Sequence, residues 1–198
     1  MKIIGLCGGS GSGKGTVCSI FNELGIKSID TDKVYHDMIS SESDCVKELI
    51  SAFGKDIYTS FGIDRKKLRD IVFSSEKYLN TLNEITHKHI LNTVRYMIDD
   101  YRSDPSVNGV IIDAPLLFES GFNRECDVTV CVIANTDTRI KRIISRDGIS
   151  YQNAYDRIKS QISNDELILK CDYFIENDSS IDSLRSQITT LYKRIFEI

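Results

Sequence analysis

GGSGSGKGTV, residues 8–17, follows the apolar run Lys2–Cys7 and leads into a segment where Val17, Ile20, Phe21 and Leu24 recur at helical spacing before Gly25. Strand, glycine loop of the form Gly8-x-x-x-x-Gly13-Lys14, then helix is the order in which such a loop cradles phosphate. Successive backbone N–H groups and the helix N-terminus surround the phosphate, and the glycines permit positive φ angles. Lys14 reaches the transferring phosphoryl oxygens. The residue after the lysine is Gly15, where many such loops carry a serine or threonine hydroxyl that ligates magnesium. Thr16 still offers a hydroxyl to a phosphate oxygen. The metal is therefore expected to be held by nucleotide phosphates, water and a carboxylate from elsewhere.

Four further short apolar runs, Lys27–Asp30, Gly109–Asp113, Val128–Ala134 and Tyr173–Glu176, are bounded by glycine, aspartate or asparagine. They are continuously apolar rather than alternating, the pattern of parallel strands covered on both faces. Helical patterns lie between them, and Ile181, Leu184, Ile188, Leu191 and Ile195 form a last stripe. The expected fold is α/β, a single P-loop domain over residues 1–198 with a five-stranded parallel sheet flanked by helices. Residues 34–101 contain no convincing strand and read as a helical insert, ended by Asp104-Pro105 because proline disfavours helix in the residue before it. Residues 139–165 read as a small arginine-bearing lid.

The 198 residues include 25 basic and 29 acidic side chains, a formal charge of −4, so no strong field gathers nucleic acid or an anionic membrane. No run reaches the roughly 18 apolar residues of a membrane-spanning helix, and the N-terminus lacks the features of a signal peptide. Cys7, Cys18, Cys45, Cys126, Cys131 and Cys171 are scattered without metal-ligand spacing, the mark of reduced core thiols. These features lead to the expectation of a cytoplasmic protein with no nucleic-acid or membrane partner; a monomer is expected, with an oligomer left open.

Asp30 and Asp32, in IDTDKVYH, stand at the end of the second strand, where open parallel sheets bind ligands. Asp30 is equally a helix N-cap or turn residue, whereas Asp32 is the candidate base that orients an attacking hydroxyl. Asp113 closes the strand GVIID, the place of an acidic residue that holds magnesium through water in P-loop enzymes. Arg139, Arg142 and Arg146 share one helix face at i, i+3 and i+7, with Arg157 and Gln161 downstream. Such a face can close on a triphosphate and stabilise charge in the transition state. His87 and His89 are two apart, so a regular helix points them differently and a metal pair is not expected.

The loop variant GSGKGT also occurs in adenylate-kinase-like proteins and argues for a small-molecule kinase, and no guanine-reading [NT]KxD element is present. The chain resembles the dephospho-CoA kinase family at GLCGGSGSGKGTV, IDTDKVYH, GIDRKKLRDIVF, LNEITHKHI, DAPLLFE, RDGIS and CDYFIEND. The resemblance implies transfer of the ATP γ-phosphate to the ribose 3′-hydroxyl of dephospho-CoA, with Mg2+. It implies that Gly11, Ser12, Gly13, Lys14, Gly15 and Thr16 hold ATP, and that Asp32 activates the hydroxyl and, with Asp113, serves the metal. Lys14, Arg142 and Arg146 would act on the transferring group. His87 and Leu116 would contact the acceptor, much of whose pocket the 34–101 insert would form. Gly15 stands where the family usually has serine, and Lys88 where it usually has proline. A nucleoside monophosphate kinase and a non-enzymatic ATP sensor are the competing readings.

Overall fold

A computed structural model describes residues 1–197. In chain order the elements are β1 (Lys2–Cys7), α1 (Lys14–Glu23), β2 (Lys27–Asp30), α2 (Thr31–Ile39), α3 (Asp44–Phe53), β3 (Tyr58–Thr59), β4 (Gly62–Ile63), α4 (Arg65–Val72) and α5 (Glu76–Ser103). There follow β5 (Gly109–Asp113), β6 (Val128–Ile133), α6 (Thr136–Asp147), α7 (Tyr151–Lys159), α8 (Asn164–Lys170), β7 (Tyr173–Glu176) and α9 (Ile181–Phe196).

Every run read as a buried strand is a strand, and together they form one sheet of order β2-β5-β1-β6-β7. β1 pairs in parallel with β5, Leu6 opposite Asp113, and with β6, Cys7 opposite Cys131. β6 pairs in parallel with β7. The architecture is the expected α/β one, a five-stranded parallel sheet flanked by helices. The chain passes from β5 on one side of β1 to β6 on the other. The C-terminal end of β1 is thus a switch point, where open sheets bind ligands, and the glycine loop leaves the sheet there.

This sheet belongs to a compact unit made of Met1–Ile29 and the chain from Tyr101 onward. Ile4 and Leu6 of β1 pack with Val17 and Phe21 of α1 and with Leu184 and Ile188 of α9 in one buried cluster. Each such side chain removed from water contributes about 1.5–3 kcal/mol. Of the C-terminal stripe, Leu184, Ile188, Leu191 and Ile195 are buried, while Ile181, the first residue after the Ser180 cap, is exposed.

A second compact unit, Asp30–Asp100, has its own core of Ile39, Val46, Leu49, Ile57, Leu68 and Val72. Its helices α2, α3 and α4 each begin on a side-chain cap, Asp30, Ser43 and Asp64. Against the expectation of no strand, β3 and β4 form a short antiparallel hairpin with Tyr58 opposite Ile63. The Thr59 hydroxyl accepts from the Phe61 N–H at 3.2 Å and donates to the Gly62 carbonyl at 3.0 Å. Gly62 has φ 96°, and a Cβ there would lie 2.5 Å from the Ile39 carbonyl oxygen, so this turn requires glycine. No helix among the described residues is long and apolar enough to cross a membrane.

Candidate active site

The glycine loop closes on a hydrogen bond from Ser12 N–H to the Gly9 carbonyl at 3.1 Å. Gly11 and Gly13 have φ of 78° and 96°. A Cβ at Gly11 would stand 2.6 Å from the Arg139 carbonyl oxygen, and one at Gly13 only 2.1 Å from Asn177 Nδ2. Glycine is what lets the loop lie against α6 and the chain that follows β7. Helix α1 begins at Lys14 on Gly13, with no side-chain cap. Among the described residues, the N–H groups of Gly11, Gly13, Lys14 and Gly15 donate to no acceptor in the protein. Unpaired donors converging at a helix N-terminus form an anion site. The buried Ser12 hydroxyl also has no partner among the described residues. Lys14 Nζ donates to the Gly8 carbonyl at 3.3 Å and lies 3.6 Å from Asp113 Oδ1. The loop cation is thereby drawn to the carboxylate at the end of β5, whose other oxygen accepts from Cys18 Sγ at 3.9 Å.

Arg139, Arg142 and Arg146 share helix α6 but make different contacts. Arg139 is only 3% exposed, and burial pulls its guanidinium below the usual arginine range. Its Nε donates to the Ser10 carbonyl at 2.9 Å and its Nη2 to Gln161 Oε1 at 2.9 Å. Gln161 completes the brace by accepting from Ser10 N–H at 2.9 Å and donating to Ser10 Oγ at 3.1 Å. Arg142 Nη1 donates to the carbonyls of Gly11 and Ser12, each at 3.2 Å, and its Nη2 to the Asn177 carbonyl at 2.9 Å. Both arginines therefore hold the outer carbonyls of the loop, leaving its N–H groups for an anion. Arg146 differs. It is exposed and grips Asp147 through two hydrogen bonds of 2.7 and 3.0 Å, while Arg157 reaches the same carboxylate at 2.5 Å. Arg146 first and Arg157 second hold the Asp147 carboxyl well below the usual range.

Asn177, not singled out as a functional residue in the sequence, donates Nδ2 to the Ser12 carbonyl at 2.8 Å in a buried bond. Its signal was position: it is the first residue beyond β7, at the same C-terminal end of the parallel strands as Asp113. Asn177→Ala removes one of two donors to the Ser12 carbonyl and leaves Arg142 as the other, an expected loss of about 0.5–1.5 kcal/mol of stability with a raised KM for ATP. Chemical denaturation beside ATP-dependent kinetics checks both.

Asp30, in the second unit, is the N-cap of α2 and accepts from the N–H groups of Asp32 and Lys33 at 2.9 and 3.0 Å. Asp32 lies in the first turn of α2 with an exposed side chain. His87 is half-buried on α5, whereas His89 Nε2 lies 3.3 Å from Glu48. Lys88 also donates to Glu48, at 2.7 Å, and α5 runs unbroken through it. A proline there would cost the helix about 3 kcal/mol or more. Leu116, in the turn after β5, is exposed, and its neighbour Leu117 is buried.

Gly15 is not among the positive-φ glycines, and a Cβ there meets nothing within 4 Å. Gly15→Ser is therefore expected to fold, to keep its activity and to gain a few tenths of a kcal/mol from helix propensity. Steady-state kinetics at varied magnesium and a thermal melt check this. Lost activity in the folded variant would mean that the loop needs glycine at this position.

A family model described as dephospho-CoA kinase matches residues 2–183. A dephospho-CoA kinase from Fusobacterium nucleatum subsp. nucleatum is 41% identical over 95% of this chain and 95% of its own. A solved structure of a Thermus thermophilus protein, TT1252, superposes with TM-score 0.80 at 26% identity, covering 97% of both chains. The structure of dephospho-CoA kinase from Campylobacter jejuni gives TM-score 0.68 at 28% identity, over 98% of this chain and 96% of that one.

Proposed function

The chain belongs to the dephospho-CoA kinase family, and on that premise we propose that it transfers the γ-phosphoryl group of ATP to the ribose 3′-hydroxyl of dephospho-CoA, giving coenzyme A and ADP. One observation carries this reading. The match runs through residues 2–183, so it includes the second unit as well as the glycine loop that many kinases share. That extent also favours this acceptor over a nucleoside monophosphate, and a bare ATP sensor needs no such second unit.

The unpaired N–H groups of Gly11, Gly13, Lys14 and Gly15, with the Thr16 hydroxyl, take the ATP phosphates, and Lys14 neutralises charge on the transferring group. Asp32 accepts the proton of the attacking hydroxyl. His87, on α5, and Leu116, in the turn after β5, are the residues assigned to acceptor contact. Arg142 contributes by fixing the loop, and Arg146 would act on the transferring group once released from Asp147. A magnesium ion fits the donor set. No group of three or more His, Cys, Asp or Glu among the described residues could hold a metal, and magnesium keeps several waters and takes one or two carboxylates beside phosphate oxygens. Asp113 and Asp32 are the carboxylates assigned to it, and a bound ion would supply neutralisation of phosphate charge.

ATP consumption measured with dephospho-CoA, AMP, UMP and no acceptor tests the proposal. Turnover with dephospho-CoA alone is expected. Turnover with AMP or UMP would select a monophosphate kinase, and none with any acceptor would select the sensor.

A further inference from the structure

Three cysteines with no part in phosphoryl transfer meet at the root of the glycine loop. Cys7 is the last residue of β1, immediately before Gly8, and Cys131 is its register partner on β6. Cys171 follows α8 as its C-cap. Cys7 and Cys131 are buried, Cys171 is partly exposed, and none of the six cysteines is in a disulfide. The sulfurs of Cys7 and Cys171 are 3.5 Å apart. The next residue, Asp172, is pinned to β6: its carboxylate accepts from Thr129 N–H at 2.8 Å and Thr129 Oγ1 at 2.7 Å, and its own N–H donates to Thr129 Oγ1 at 3.0 Å. The end of α8 is thus fastened over β6 with the thiols beneath it. The neighbouring thiols, Cys131 first and then Cys7, share hydrogen bonds with the Cys171 sulfur that shift its thiol below the usual range and push their own above it. A partly exposed sulfur with a second sulfur 3.5 Å away is the arrangement of a reactive cysteine beside a resolving partner.

We propose that Cys171 is a hydroperoxide-reactive thiol and Cys7 its resolving partner, so that oxidation closes a Cys7–Cys171 disulfide at the root of the glycine loop. The Cys171 thiolate attacks one oxygen of a hydroperoxide and the O–O bond breaks. Sulfur becomes a sulfenic acid, and the departing oxygen takes a proton and leaves as an alcohol, or as water from hydrogen peroxide. The Cys7 sulfur then attacks the sulfenic sulfur, the S–S bond forms, the S–O bond breaks, and water carries away the Cys7 proton. The two thiols together lose two electrons and the hydroperoxide gains them.

Closing the bond brings the sulfurs from 3.5 Å to about 2.05 Å and draws the end of β1 toward α8. Gly8 has little slack, since even a Cβ there would come within 2.5 Å of the Val132 carbonyl oxygen. Its own carbonyl accepts from Lys14 at 3.3 Å. Displacing a catalytic loop by about 1 Å can cost about 10²-fold in rate, so the oxidised protein is expected to turn over at least about tenfold more slowly.

The test uses the full chain, reduced, freed of reductant and treated with hydrogen peroxide. Intact mass is expected to fall by two hydrogens, and peptide mapping after alkylation to recover a Cys7–Cys171 crosslink. Turnover is expected to fall and to return with dithiothreitol. Cys171→Ser is expected to match the parent before treatment and to resist peroxide, and Cys126→Ser to remain as sensitive as the parent. Absence of the crosslink, a crosslink to Cys131 instead, or equal peroxide loss in Cys171→Ser would overturn the proposal. The crosslink is read by mass alone, so its outcome is independent of whether dephospho-CoA is the acceptor.

Discussion

Asp32→Asn is expected to lower turnover with dephospho-CoA by about 10²–10⁴-fold, the usual contribution of a positioned general base, while the acceptor still binds. The substitution keeps nearly the same volume and removes only the ability to take a proton. Asp30→Asn is the matched control, because the structure gives Asp30 a different role. Its Oδ1 caps α2 by accepting from Asp32 and Lys33 N–H groups. Asparagine caps a helix about as well as aspartate, so Asp30→Asn is expected to be close to the parent in both turnover and stability. Asp30→Ala, which removes the cap, is expected to lose about 1 kcal/mol. Turnover of each variant, with acceptor affinity from calorimetry beside a non-hydrolysable ATP analogue, checks the assignment. If Asp30→Asn abolishes catalysis and Asp32→Asn does not, the two carboxylates exchange roles.

Lys14→Ala is expected to lower turnover by about 10²-fold or more, the scale of losing one electrostatic donor to a developing charge. ATP affinity is expected to fall less, because the N–H groups of the loop remain and Arg139, Arg142 and Asn177 still hold the loop from outside. The substitution also strips Asp113 of the cation 3.6 Å away, so a thermal melt of the variant accompanies the kinetics. A folded Lys14→Ala protein with near-parental turnover would remove this loop from the reaction.

The three inner strands, β1, β5 and β6, were legible because a strand covered on both faces leaves an uninterrupted apolar run, whereas the edge strands β2 and β7 each bury a single residue, Ile29 and Ile175. Gly109–Asp113 is buried through Ile112 and turns polar only at its ligand-facing end. Helix α5 was legible at its end, since Asp104-Pro105 stops it after Ser103. The β3–β4 hairpin was missed because two-residue strands carry no periodicity; the available signal was Gly62 in YTSFGI, a glycine needed at φ 96°. Lys14 and the glycines were found by spacing, which is local information. Periodicity placed Arg139, Arg142 and Arg146 on one face, but it could not say that two of them end on loop carbonyls. Those contacts join residues 129 to 131 positions apart and exist only once α6 packs beside the loop. The meeting of Cys7 with Cys131 and Cys171 was hidden for the same reason, as sheet register and the end of α8 bring them together.

The most direct measurement is to locate the transferred phosphate. The chain is incubated with ATP, Mg2+ and dephospho-CoA, and the product is read by phosphorus–proton correlation on the ribose. A phosphate on the 3′ carbon, formed in step with ADP, is the predicted result. Phosphate at another position, or ADP released with the acceptor unchanged, would contradict it.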